Sequence, residues 1–193
     1  MTLLLKKLYN ISLVFSLFPW VSFGLIEGGI QPFFIVMMFL TLLTHLLIKQ
    51  SFRRAYFLLV IPLLFFFMNY LNIGSNELVR ESISYFALVI SFIFFIQYLN
   101  LYGFPKNILI SILWIWIIAG LVQLIFDPKI FEFLVHSRGS EDRGVSAFAS
   151  EPSFFGLHIA AIVSLIIFFS QNKRIILVLF LGILGITLSA SLV

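Results

Sequence analysis

The chain has no cysteine, and only 10% of its 193 residues are charged. The first absence removes disulfides, thiol nucleophiles, iron–sulfur clusters and cysteine-type zinc sites together. The second removes the balance of a water-soluble domain, in which about a quarter of the residues are charged. Twelve Lys and Arg against eight Asp and Glu leave a formal charge of +4, and charges so sparse make a poor nucleic-acid surface. Hydrocarbon takes their place: 62% of residues are hydrophobic, 25 are phenylalanine, and the mean hydropathy is +1.15. Runs such as Leu63-Leu64-Phe65-Phe66-Phe67 suit a helix surface that faces lipid better than a core covered by water. This is the composition of an integral membrane protein.

A hydrocarbon layer of about 30 Å needs roughly 17 to 25 helical residues per crossing. Seven apolar stretches reach that length, near 8–26, 32–48, 55–71, 83–99, 108–126, 154–170 and 175–193. The expected fold is all-α and polytopic, one transmembrane domain over 1–193 with about seven helices. Glu27-Gly28-Gly29, Tyr102-Gly103-Phe104-Pro105 and Gln171-Asn172-Lys173-Arg174 supply turns between stretches. Lys6 and Lys7 precede the first stretch, but no small-residue cleavage site follows and the stretch contains Phe18, Pro19 and Trp20. It reads as a retained span, not as a secretory signal.

Basic residues collect on the cytoplasmic side of short loops. With the N-terminus inside, the inner segments hold Lys6, Lys7, Lys49, Arg53, Arg54, Lys106, Lys173 and Arg174, and the outer ones only Arg80, Lys129, Arg138 and Arg143. The acids Glu27, Glu77, Glu81, Asp127, Glu132, Glu141, Asp142 and Glu151 all fall outside on the same map. A cytoplasmic N-terminus is therefore expected, with residues 127–153 as the one larger loop, in the periplasm.

Within that loop, Asp127 and Pro128 occupy the N-cap and first-turn positions of a short amphipathic helix. Ile130, Phe133 and Leu134 share its apolar face, and Lys129, Glu132 and His136 face water. The stretch Ser137-Arg138-Gly139-Ser140-Glu141-Asp142-Arg143-Gly144 has no apolar period and reads as a polar loop. The chain then re-enters the membrane through Val145 to Ser153, with Pro152 in the first turn of the next helix and Ser150 or Glu151 as its cap.

The run Arg143-Gly144-Val145-Ser146-Ala147-Phe148-Ala149-Ser150-Glu151-Pro152-Ser153-Phe154-Phe155-Gly156 resembles the Arg…Ser-Glu-Pro-Ser signature of bacterial O-antigen polymerases and related exopolysaccharide polymerases, relatives of the O-antigen ligases. Thr187-Leu188-Ser189-Ala190-Ser191 resembles a hydroxyl-rich stretch that follows in them. The resemblance implies a multi-pass inner-membrane glycosyltransferase of lipopolysaccharide or exopolysaccharide biosynthesis. Its substrate would be a polyprenyl-pyrophosphate-linked oligosaccharide, its partners a flippase and chain-length regulator proteins, and no cofactor or metal is implied. Family members are about twice as long and carry a further arginine-bearing loop. The end at Val193, inside an apolar run without a charged flank, reads as the N-terminal portion of such a protein.

The residue types fit that chemistry. Guanidinium groups match the oxygens of a pyrophosphate in bidentate fashion, which makes Arg138, Arg143 and, from the outer end of the fourth stretch, Arg80 candidate substrate-binding residues. Glycosyl transfer needs a base for the acceptor hydroxyl, and Glu151 is the candidate. His158, two helical turns further on, falls on the same side of the helix and is a candidate catalytic partner of Glu151. Each has a structural alternative. Arg143 can pair with Glu141 or Asp142, Arg80 with Glu77, Glu151 can serve only the helix dipole, and His158 can be a neutral interhelical hydrogen-bonder. His45 and His136 read as structural, and Gln97 and Gln123 as interhelical hydrogen-bonders. The alternative functions are an O-antigen ligase, a non-catalytic membrane transporter or scaffold component, and an intramembrane serine protease, against which Gly144-Val145-Ser146-Ala147 lacks the second glycine of a Gly-x-Ser-Gly nucleophile and sits in a polar loop.

Overall fold

The computed structural model describes residues 2–21, 33–49, 76–127, 129–135, 144–169 and 175–189. Among the described residues there are six α-helices and no strand: α1 (Thr2–Ser16), α2 (Phe33–Lys49), α3 (Asn76–Tyr102), α4 (Lys106–Ile125), α5 (Pro152–Phe169) and α6 (Ile175–Ser189). Two of them, α4 and α5, are long and apolar enough to cross a membrane. Phe33–Ile48, Phe86–Tyr102 and Ile176–Ser189 are shorter apolar helices. Length and composition therefore qualify two helices of the seven crossings expected. The stretch at 55–71 lies outside the described residues.

The first stretch is not the helix expected over 8–26. Helix α1 begins at Thr2 and stops at Ser16, and 15 residues reach only about 22 Å. Pro19 explains the stop. It has no amide hydrogen for the carbonyl four residues back, its ring crowds that turn, and it biases Phe18 toward an extended backbone. The punctuation at Gly103 and Pro152 holds, while Glu27-Gly28-Gly29 and Gln171-Asn172-Lys173-Arg174 lie outside the described residues. Gly103, at φ 72, receives the chain as it leaves α3, its N–H bonding the Leu99 carbonyl at 3.0 Å. Pro152 opens α5.

The chain divides into two compact units. The first contains α1, α2 and α3, with α2 packed against both others. Its interior carries a polar seam. The buried His45 ring lies 3.0 Å from the Tyr9 hydroxyl through Nδ1 and 3.2 Å from Gln97 Nε2 through Nε2. A proton on Nδ1 satisfies both contacts, because Nδ1 then donates to the Tyr9 oxygen and Nε2 accepts from the amide. Ser12 and Thr41 share a hydroxyl hydrogen bond of 2.7 Å in the same α1–α2 interface. Gln97 and His45 thus join helices to one another, as their isolation in apolar sequence predicts.

The second unit contains residues 17–21, α4, α5 and α6, and its three helices pack on one another. Glycine lets them approach. A Cβ on Gly185 would sit 2.7 Å from Ile117 Cδ1 on α4 and 2.8 Å from Ile159 Cγ2 on α5, both buried. On α5, a Cβ at Gly156 would press into the Ser189 hydroxyl of α6. Small residues of this kind bring helices together where water gives no hydrophobic drive.

These contacts set a comparison. Gly185→Ala forces two branched side chains apart and is expected to cost about 1–3 kcal/mol. Gly103→Ala meets nothing within 4 Å and bears only the left-handed backbone penalty of about 1–2 kcal/mol. Unfolding in detergent micelles, followed by circular dichroism, measures both, and a Gly185→Ala protein as stable as the parent would refute the close packing.

Candidate functional site

The part of segment 127–153 nearest Glu151 is a folded loop rather than a solvated one. Val145, Ser146, Ala147, Ala149 and Ser150 are all buried. Its backbone donors are caught one by one. Val145 N–H donates to the Leu188 carbonyl of α6 at 2.9 Å, and Ala149 N–H closes a turn on the Ser146 carbonyl at 2.8 Å. Ala147 N–H donates to Gln123 Oε1 at 2.6 Å. The other end of that carboxamide, Nε2, donates to Ser146 Oγ at 3.3 Å. Ala147 has φ 49, a left-handed conformation that a residue with a Cβ adopts only at a cost of about 1–2 kcal/mol. Gln123 was expected to bridge helices, and it instead bridges α4 to this loop.

Glu151 follows directly, half-buried at the head of α5. Its carbonyl accepts from the N–H groups of Phe154 and Phe155 at 3.1 and 3.2 Å, which makes it the N-cap residue. The Ser153 hydroxyl lies 3.5 Å from Glu151 Oε2. The carboxylate therefore stands at the positive end of a helix with one side open.

His158 has a different partner from the one expected. Its Nε2 donates to the Leu17 carbonyl at 3.0 Å, and the indole N–H of Trp116 reaches the same oxygen at 3.2 Å. The unwound segment after α1 is thereby tied to α4 and α5. Aromatic rings surround the junction: Trp116 stacks on Phe18 at 5.5 Å and on Phe155 at 5.8 Å. Trp20 stacks on Phe154 at 5.7 Å and sets its edge to His158.

Residues 129–135, expected as a short helix, form consecutive turns. The Asp127 carboxylate accepts from Lys129 N–H at 2.8 Å, and backbone bonds follow from Glu132 to Lys129 and from Leu134 and Val135 to Phe131. Val135 is buried and Phe131 packs on Phe148 at 4.9 Å, whereas Phe133 is 68% exposed. Between these turns and the loop lies a cavity of about 10 Å³ bordered by Gln123, Phe131, Glu132, Val135 and Ser146, room for a single water at most.

Of the predicted site residues, Glu151 and His158 lie on one helix in the second unit, each with its own hydrogen-bond partner. Arg80 lies early in α3, in the first unit, with its side chain outside the described residues. Arg138, Arg143 and His136 fall outside the described residues altogether. Among the described residues, no three His, Asp or Glu side chains gather as metal ligands. Compared with protein-family models, curated proteins and solved structures, the chain matches none.

The shared acceptor at Leu17 makes a quantitative prediction. Trp116→Phe and His158→Phe each leave the carbonyl one donor and are each expected to cost about 1 kcal/mol in hydrogen bonding. The double variant orphans it, so its loss should exceed the sum of the single losses by about 1 kcal/mol or more. Additive losses in micelle unfolding would show that the two donors act independently.

Proposed function

We propose that this chain polymerises surface polysaccharide, transferring glycan from a polyprenyl-pyrophosphate-linked donor at the outer face of a bacterial inner membrane. The observation that carries this reading is the run from Gly144 to Glu151. It carries the Ser-Glu of the polymerase signature, and it is a largely buried loop, held by the bonded N–H groups of Val145, Ala147 and Ala149, that delivers a half-buried carboxylate to the head of a helix long enough to cross a membrane. A solvated linker needs no such ties. Glu151 takes the proton of the acceptor hydroxyl as the glycosidic bond forms. Arg143 and Arg138 hold the pyrophosphate that leaves. His158, bonded to Leu17, orients α5 rather than relaying a proton. The flippase that supplies the lipid-linked unit and the protein that sets chain length are the partners of this reaction.

The same reading includes seven crossings with the N-terminus in the cytoplasm, supported by the excess of inner Lys and Arg. Reporter fusions test it. Phosphatase activity is expected from a fusion near Ser140 and none from a fusion after Arg54, and the reverse pattern would overturn the map.

Two substitutions test the chemistry in the intact protein. Arg143→Lys keeps the charge and loses the planar fork, so a pyrophosphate ligand fails where a solvated arginine tolerates the change. Glu151→Gln preserves shape and hydrogen bonding at the helix start, where a capping group would lose about 1 kcal/mol or less. A general base would lose about 10²- to 10⁴-fold in rate. Polysaccharide chain length at matched membrane levels is the measurement, and normal chains from both variants would place the reaction elsewhere.

A further inference from the structure

We infer that Gln123 is a positioning residue for Glu151, acting through the backbone of the loop that precedes it. This rests on the polymerase reading above, and it goes beyond that reading by assigning a role to a buried residue in the last turn of α4 that touches no substrate. Three observations carry it. The first is that both ends of one carboxamide are used on adjacent residues, Oε1 on the Ala147 amide at 2.6 Å and Nε2 on the Ser146 hydroxyl at 3.3 Å.

The second is that the amide held belongs to the residue in the left-handed conformation, Ala147 at φ 49. An alanine left to itself relaxes toward negative φ, so the bond to Gln123 opposes a local preference. Such conformations persist where the surroundings over-determine them. The third is continuity. From Ser146 the chain makes one turn, closed by Ala149 N–H on the Ser146 carbonyl, passes the buried Ser150 and reaches Glu151, whose carbonyl starts α5. A change at Ala147 therefore moves the carboxylate, since only three residues separate them, Phe148 held by ring contacts with Phe18 and Trp116 and Ala149 and Ser150 buried.

The test uses single thiols, which are unique labels because the chain has no cysteine. Ser150→Cys reports on the loop, and Leu113→Cys, at a fully buried position of α4, reports on the helices. Gln123→Met keeps the length and apolar bulk of the side chain and removes both hydrogen bonds. Gln123→Glu keeps an acceptor for Ala147 N–H and accepts from the Ser146 hydroxyl as well. Maleimide labelling in native membranes is expected to rise about tenfold or more at position 150 with Gln123→Met, the size of one lost buried hydrogen bond in an opening equilibrium. Position 113 should stay protected. Polysaccharide chains made by the intact protein should shorten with Gln123→Met, and Gln123→Glu should restore both protection and chain length.

Unchanged protection at position 150 with Gln123→Met would overturn the clamp, and so would a Gln123→Glu protein no better than Gln123→Met. Raised labelling with normal chains, in a protein whose chains Glu151→Gln does shorten, would overturn the positioning role and leave the polymerase reading standing. Normal chains with Glu151→Gln and Arg143→Lys would sink that reading, and with it the role assigned to Gln123, whatever the labelling shows.

Discussion

Peptide groups that leave helical geometry among apolar side chains must find their hydrogen bonds inside the protein, because hydrocarbon offers none. In the second unit two segments do this, 17–21 and 144–151, and the rest of that unit is arranged to answer them. Helix α4 supplies one side chain for each. Trp116 donates to the Leu17 carbonyl and Gln123 accepts from the Ala147 amide. The two are seven residues apart, two turns, and so share a face. Phe148 links the segments directly, with its ring set edge-on to Phe18 at 5.5 Å and to Trp116 at 5.4 Å. Without α4, the Ala147 amide would lose its partner and the Leu17 carbonyl one of its two donors.

That arrangement bears on what Glu151 is able to do. A carboxylate on a solvated loop has no fixed place, and its reach to a hydroxyl would be a matter of chance encounters. Here the loop before it is buried and the helix after it begins at its own carbonyl. On the glycosyl-transfer reading, this is the geometric requirement for a general base, whose heavy atom has to lie within hydrogen-bond reach of the proton it takes.

Much of the helical framework is legible in the sequence, for a simple reason. Where an apolar run is long and ends at glycine, proline or charge, its bounds differ from those of α2, α4 and α5 by about two residues. Expected edges at 32–48, 108–126 and 154–170 became Phe33–Lys49, Lys106–Ile125 and Pro152–Phe169. The first stretch was misjudged because hydropathy does not register Pro19, which breaks the helix inside an unbroken apolar run. The surface helix was misjudged for the opposite reason. Its cap at Asp127 forms, but seven residues of turn bonds satisfy the segment while Phe131 and Val135, four apart, pack inward. Gln123 was visible as a lone amide, yet no local pattern says whether an amide will find a helix or a loop.

The partners chosen by polar side chains separate the two units. In the first, Tyr9, His45, Gln97, Ser12 and Thr41 bond one another across helices. Bonds between side chains of regular helices fix rotation and register, and they leave the backbone as it would be anyway. In the second, Gln123, Trp116 and His158 spend their donors and acceptors on backbone groups outside helices. Only bonds of this second kind can hold irregular chain at a given place, and irregular chain is what brings a residue such as Glu151, half-buried, to the start of a helix long and apolar enough to cross a membrane. Polar side chains thus do different work in the two units, and Glu151 lies in the unit where they hold the backbone.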